Sequence, residues 1–544
     1  MSESPKKQNF LQGAALLAIA TAIVKVIGAL YKLPLNMAIG AEGYSYFTTA
    51  YDIYAVMLMI STAGLPVAVS RMISQASTLQ HYTQMRKVFR TALSIFAILG
   101  VITSALMILG AKPLANLMSQ PDAWISIACL GPCGILICLM SAYRGYFNGQ
   151  GNMLPTSVTQ VIEAVGKLVV GLALAFLFIR LTNSVALAAG GAILGVTVGS
   201  AVALVYMLAK FRRSYTALPV TPEAPGSTKE TVKELLAIAI PITIGSAGLQ
   251  LLTVIESGLY MDRLVGLIES GRYMSHMVGG SVTALKAAAT LKGLFNMTQT
   301  IFNMPCAFIT PITISVIPAI TAQLTLKKHK EAAGTEESAI RVMALISMPC
   351  AFGLAVLAEP VTALLGDYTG DRLTLATSLM TVLGISIMFN AVVLVTTSIM
   401  QAHGHVNRPV INMLIGGLVK LVAVFILTGN PHIGILGTPI GTLLCYLCIC
   451  LLNVASIRRL FQEPPAIVKN LIRPFLAAAA MGICTYGAWF GLKQIFDSRL
   501  ILCGAPVLVG VVVYAVLVIK FKAITRADCL LLPKGEKIAN LLKL

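Results

Sequence analysis

The chain has 544 residues, 57% of them hydrophobic and only 11% charged, with a formal net charge of +19. A soluble domain carries about 25% charged residues, so this composition excludes a soluble globular protein and points to an integral membrane one. In a soluble chain the positive balance would suggest nucleic acid. Here the basic residues sit in short loops between apolar runs, so topology accounts for them and no nucleic-acid partner is implied.

The N-terminus, "MSESPKKQNF", is polar and basic. The apolar run after it contains Lys25 and no small-residue cleavage site, which reads as a retained first span with its N-terminus inside. A span needs about 20 apolar residues. By that measure the chain predicts fourteen helices, at 10–31, 45–70, 88–110, 123–142, 155–179, 183–209, 233–261, 293–322, 338–358, 374–401, 409–428, 433–457, 471–492 and 500–519. No strand-like alternation suggests a barrel. Prolines inside these runs, such as Pro66, Pro132, Pro241 and Pro349, are tolerated because neighbouring helices satisfy the freed backbone groups. Most of the 40 lysines and arginines fall in alternate loops, which by the positive-inside rule makes both termini cytoplasmic. The cysteines, as in "CYLCIC" (Cys445, Cys448, Cys450), lie in apolar runs and read as packing residues, with no disulfide framework.

The largest hydrophilic linker runs from Lys210 to Glu234 and mixes Pro, Gly, Ser and Thr with both signs of charge. It divides the first twelve spans into two sets of six. The two sets resemble each other. "QGNMLPTSVTQVIEAVGKLVVG" (Gln150 to Gly171) and "HGHVNRPVINMLIGGLVKLVAV" (His403 to Val424) both place a glycine turn before a proline and a lysine, and Gly151/Gly404 and Lys167/Lys420 share an offset of 253. The expected organisation is a six-helix lobe over 1–209, a cytoplasmic linker over 210–234, a second six-helix lobe over 235–457, and two further spans with a cytoplasmic tail over 458–544. Substrate sites in repeat-built transporters lie near the midplane.

The charges inside the spans are the candidates for function. From Pro155 to Lys167 is about 18 Å of helix, and from Pro409 to Lys420 about 16 Å, which puts both lysines near the centre of a hydrocarbon core about 30 Å thick. A charge there costs at least about 2.5–3.5 kcal/mol and should face the protein interior or a wet cavity. Glu163 and Lys167, spaced i,i+4, form either a self-neutralising structural pair or part of a coupling or substrate site. Lys420 has no acid in its own helix. Lys32 lies near the end of the first span, where it can snorkel, whereas Lys25 is deeper. Asp52 and Glu256 are either proton or cation sites or ion-pair partners for the lysines. No P-loop is present and the six histidines show no metal-ligand spacing, so nothing resembles an enzyme's site.

The residues "VKVIGALYK", "IGAEGY", "GLPVAVSR" and "YRGYFNGQGNMLPT", with the basic linker after span six, resemble the MurJ/SpoVB/YtgP-type flippases of the MOP exporter superfamily, over nearly the whole chain. That resemblance implies an all-α fold of two six-helix lobes in a V around a central cavity, plus two C-terminal helices. It implies translocation of a polyprenyl-diphosphate-linked cell-wall precursor, above all lipid II, to the outer leaflet of the bacterial plasma membrane by alternating access. The implied partners are that precursor, membrane lipids and the cell-wall synthesis machinery. No cofactor is implied, the driving force being a coupling ion or the membrane potential. The family's basic position in span one falls on Lys25, and a second falls on Tyr31 with Lys32 adjacent. The arginines of spans two and eight have no match, which leaves Arg263, Lys286 and Lys292 as substitutes and suits the SpoVB/YtgP branch. With Lys420, these residues make up the expected cationic lining. The alternatives are a polysaccharide-repeat flippase of O-antigen type and a cation-coupled multidrug antiporter. The antiporter would call for an acidic cavity, against Lys25, Lys167 and Lys420.

Overall fold

The computed structural model describes residues 10–62, 64–216, 227–274, 276, 282–366, 368–405 and 407–525. The fold is all-α, and it divides into two compact units, Met1–Gly293 and Leu294–Leu544. Ten helices among the described residues are long and apolar enough to cross a membrane. The other four expected spans fall on three long helices and a shorter one: α1 (Phe10–Thr62), α2 (Leu65–Thr78), α9 (Thr228–Glu269) and α10 (Ala284–Thr325). Residues 217–226 of the expected linker and 526–544 of the expected tail lie outside the described residues.

The first unit contains α1, α2, α3 (Tyr82–Leu109), α4 (Ala111–Leu117), α5 (Trp124–Gly149), α6 (Leu154–Gly166), α7 (Leu172–Thr182), α8 (Val185–Thr216), α9 and the opening turns of α10. The sequence predicts a loop between its first two spans, but the chain stays helical to Ile39 and breaks only at Gly40 (φ 68°, ψ 177°). That conformation is left-handed in φ and open to glycine alone at little cost, so one residue of "IGAEGY" does the work of the whole predicted loop. Beyond the kink, Tyr44, Phe47, Tyr51 and Tyr54 recur at helical spacing and form one aromatic stripe. Neighbouring rings lie 5.7–6.1 Å apart along it. The second predicted span is also interrupted: α2 restarts at Leu65 with Pro66 in its first turn, where a missing N–H costs nothing.

Between α6 and α7 the helix does not end but widens into a π turn over Lys167–Gly171. Such turns are rare and concentrate at functional sites. The phenol of Tyr31, on the first segment of α1, donates to the carbonyl of Ala192 on α8 at 3.2 Å and ties the two helices together beside it.

The second unit holds the rest of α10 with α11 (His329–Val356), α12 (Ala358–Gly366), α13 (Gly370–Ala402), α14 (Asn407–Thr428), α15 (Gly437–Leu460), α16 (Ile467–Lys493) and α17 (Arg499–Lys520). Its core includes Ile340, Met343, Val395, Ile399 and Ile457, all buried. Its interior holds a neutral chain in which Asn412 donates to Asn453 (2.9 Å) and Asn453 donates to Thr396 (3.0 Å), and a buried carboxylate, Glu336, 2.6 Å from His403 Nε2. On α17, Leu500, Leu508, Val511 and Val512 are exposed, as a lipid-facing surface requires.

Candidate functional site

Among the described residues, two charged clusters lie inside the first unit. The first is built where α10 meets α1. Gly293 packs so closely on the α1 kink that a Cβ there would collide with the carbonyl of Ala41. This approach carries the preceding residue, Lys292, into the interior, where its side chain is fully buried. The ammonium donates to Thr49 Oγ1 and to Ser257 Oγ, each at 2.7 Å. Ser257 passes its own proton on to Asp52 Oδ2 at 3.2 Å. Thr49 in turn donates to Gln120 Oε1 (2.9 Å), and the Gln120 amide donates to Ser45 (2.7 Å). The result is an ammonium and a carboxylate joined through a hydroxyl, with the ring of Tyr260 5.8 Å from the ammonium. Charge-assisted hydrogen bonds of this kind are what make a buried lysine tolerable. Glu256, the residue before Ser257, is buried and interacts electrostatically with Asp52.

The second cluster lines an open cavity of about 320 Å³ between α1, α5, α6 and α8. Arg144, near the end of α5, reaches across to α6 and binds Glu163 Oε2 at 2.6 Å and Thr159 Oγ1 at 3.1 Å. Ser200 on α8 donates to the other oxygen of Glu163 at 3.4 Å. Glu163 therefore pairs with Arg144, and the i,i+4 pair with Lys167 that the sequence allows does not form. Lys167 points instead into the aromatic stripe: its ammonium lies 4.4 Å from the Tyr51 ring centre, 5.0 Å from that of Tyr31 and 5.5 Å from that of Phe47. Each cation–π contact is worth about 0.5–2 kcal/mol depending on desolvation. Three of them offset a large part of the cost of holding an ammonium at this depth.

Lys32 interacts electrostatically with both Asp52 and Lys167, and so stands between the two clusters. Of the remaining candidates, Arg263 is partly buried on α9, and Lys420 is partly buried on α14 in the second unit. Lys25 lies on α1 next to Val24, which lines the cavity; the Lys25 side chain is outside the described residues. Several members of these clusters were not singled out from the sequence: Arg144, Thr49, Ser257, Gln120 and the aromatic stripe. Only Arg144 carries a local signal, as the lone charge in "MSAYRGYFNG" at the end of a spanning run. The hydroxyl and amide partners are ordinary residues that packing alone recruits.

Comparison with known proteins gives the arrangement a context. The family described as "Polysaccharide biosynthesis protein" matches residues 10–324. The chain is 22% identical over 534 residues to stage V sporulation protein B of Bacillus subtilis (strain 168), covering 97% of this chain and 98% of that one. It is 24% identical over 495 residues to lipid II flippase MurJ of the same organism, covering 87% of each. The solved structure of lipid II flippase MurJ in an inward closed conformation superposes with a TM-score of 0.66 at 14% identity, over 93% of this chain and 98% of that one. The resemblance to MurJ/SpoVB-type proteins drawn from the quoted motifs is borne out, and so is the all-α membrane fold.

Proposed function

Because the chain belongs to the polysaccharide biosynthesis protein family, we propose that it is a flippase, and not an enzyme, that moves lipid II across the bacterial plasma membrane by alternating access for peptidoglycan synthesis. Both termini lie in the cytoplasm, and the lobes are 1–209 and 235–457. One observation supports this substrate over a cationic drug: among the described residues of the first unit, Arg144, Lys167 and Lys292 are drawn into the two clusters, against Asp52, Glu163 and Glu256. With Lys32 the cations outnumber the acids. A diphosphate needs fixed positive charge in a partly desolvated place, where each charge-assisted hydrogen bond is worth about 1.5–3 kcal/mol. The exposed apolar residues of α17 suit a polyprenyl tail.

Lys25 is proposed as a substrate contact on the family's basic position of span one. The test is complementation of a flippase-depleted bacterial strain, with lipid II exposure assayed at the cell surface. The wild-type chain restores exposure, Lys25→Arg retains much of it, and Lys25→Ala and Lys25→Glu abolish it at normal protein levels. Full activity of Lys25→Glu would overturn the cationic mechanism.

A further inference from the structure

The cavity beside Lys167 has a charge left over. Its carboxylate, Glu163, is engaged by Arg144 at 2.6 Å. The Lys167 ammonium has three aromatic faces around it, and among the described residues it has neither a carboxylate nor a hydrogen-bond acceptor. Another cation, Lys32, acts on it electrostatically. An ammonium carries three donors, and aromatic faces use none of them well. Gln160 lines the same wall; its Oε1 is buried without a hydrogen-bond partner, and the amide turned over would present its N–H groups there. Ser200 and Tyr54 also line the cavity, their hydroxyls engaged with Glu163 and Cys133.

We infer that this cavity is an anion-binding site, and that it takes a phosphate or diphosphate group with Lys167 as its principal contact. The inference rests on the flippase reading for the source of the phosphate, and it names a place for that phosphate within the first unit. Size supports a headgroup fragment: about 320 Å³ is at the small end of ligand pockets, which run from about 300 to 1,000 Å³. That space holds a diphosphate and part of a sugar but not a whole glycopeptide. The incoming anion would meet the unused donors of Lys167 and the Gln160 amide, while Arg144 neutralises Glu163, which lies between them on the same face of the helix. The three rings hold the ammonium in place beforehand, so binding orders little that is not already ordered.

The test uses the full chain in detergent, titrated with farnesyl diphosphate, inorganic pyrophosphate and farnesol. Farnesyl diphosphate is expected to bind saturably, and Lys167→Gln to weaken it by about tenfold or more, the loss of one charge-assisted contact. Lys167→Arg should stay within a few-fold of wild type, and Lys493→Gln, an exposed charge in the second unit, should change nothing. Competition by pyrophosphate alone at similar affinity assigns the site to free phosphate groups; binding only of the prenylated probe assigns it to a lipid headgroup. Either result supports phosphate recognition. Equal binding to Lys167→Gln and wild type, farnesol binding as tightly as its diphosphate, or no saturable binding at all would overturn it. If lipid II is flipped while no phosphate probe binds, this site fails and the flippase reading stands; if the probes bind at Lys167 and no lipid II is flipped, the reverse holds.

Discussion

Gln150–Gly171 and His403–Val424 begin alike and end differently. Each opens on a turn with a glycine in the left-handed region, Gly151 (φ 76°) and Gly404 (φ 82°), and each then enters a helix through a proline. The repeat seen in the letters is thus a repeat in backbone. From the lysine onward they part. At Lys167 the helix opens into a π turn and the ammonium meets three rings supplied by α1. At Lys420, α14 runs on as a regular α-helix to Thr428, and it packs on α15 through small and apolar contacts such as Gly416 with Ile449 and Gly441 with Val424. A duplicated segment has kept its turn, which is encoded locally. The surroundings of its charge are contributed by other helices and have diverged.

The largest effect expected from breaking this difference lies in the first cluster. Lys292→Leu removes the ammonium that is hydrogen-bonded into the Asp52–Ser257–Thr49 network. Leaving a buried charge without its partner costs about 3–5 kcal/mol, so the purified variant should show a sharply lowered thermal midpoint. Adding Asp52→Asn should recover part of it. Next comes the exchange Glu163→Lys with Lys167→Glu. Were these two residues a simple pair, the exchange would be tolerated; because Arg144 holds Glu163, the new ammonium faces a guanidinium, and transport should be lost although the protein inserts. Retained activity would restore the pair.

The kink is a smaller test. Gly40→Ala forces a Cβ into an extended positive-φ conformation at about 1–3 kcal/mol, read as a modest drop in thermal midpoint. The smallest effect belongs to Lys493→Gln, whose partner Glu359 is exposed like itself. Such pairs contribute about 0–1 kcal/mol, so the midpoint should hardly move.

These residues also mark how far the sequence could be read. The membrane class, the helical runs, the repeat and the unusual depth of Lys167 follow from composition and spacing, because hydrocarbon imposes its rules on every residue in turn. Gly40 was visible inside "IGAEGY" but not its consequence, since an apolar run interrupted by a few polar letters reads the same whether it loops or kinks. The partnership of Glu163 is not legible in the sequence because i,i+4 spacing considers one helix alone. Arg144 is 19 positions away and arrives only when α5 packs beside α6. Thr49 and Ser257 are still less legible: a hydroxyl in a spanning helix is usual, and only the close approach at Gly293 brings Lys292 to them.

The most direct test compares the two repeated lysines in one assay. With the full chain in proteoliposomes, the initial rate of fluorescent lipid II flipping is measured for wild type, Lys167→Gln, Lys167→Arg and Lys420→Gln. If Lys167 receives the phosphate, Lys167→Gln should fall by about tenfold or more, the equivalent of about 1.4 kcal/mol or above, with Lys167→Arg close to wild type and Lys420→Gln reduced far less. A wild-type rate in Lys167→Gln, at equal protein incorporation, would contradict the account.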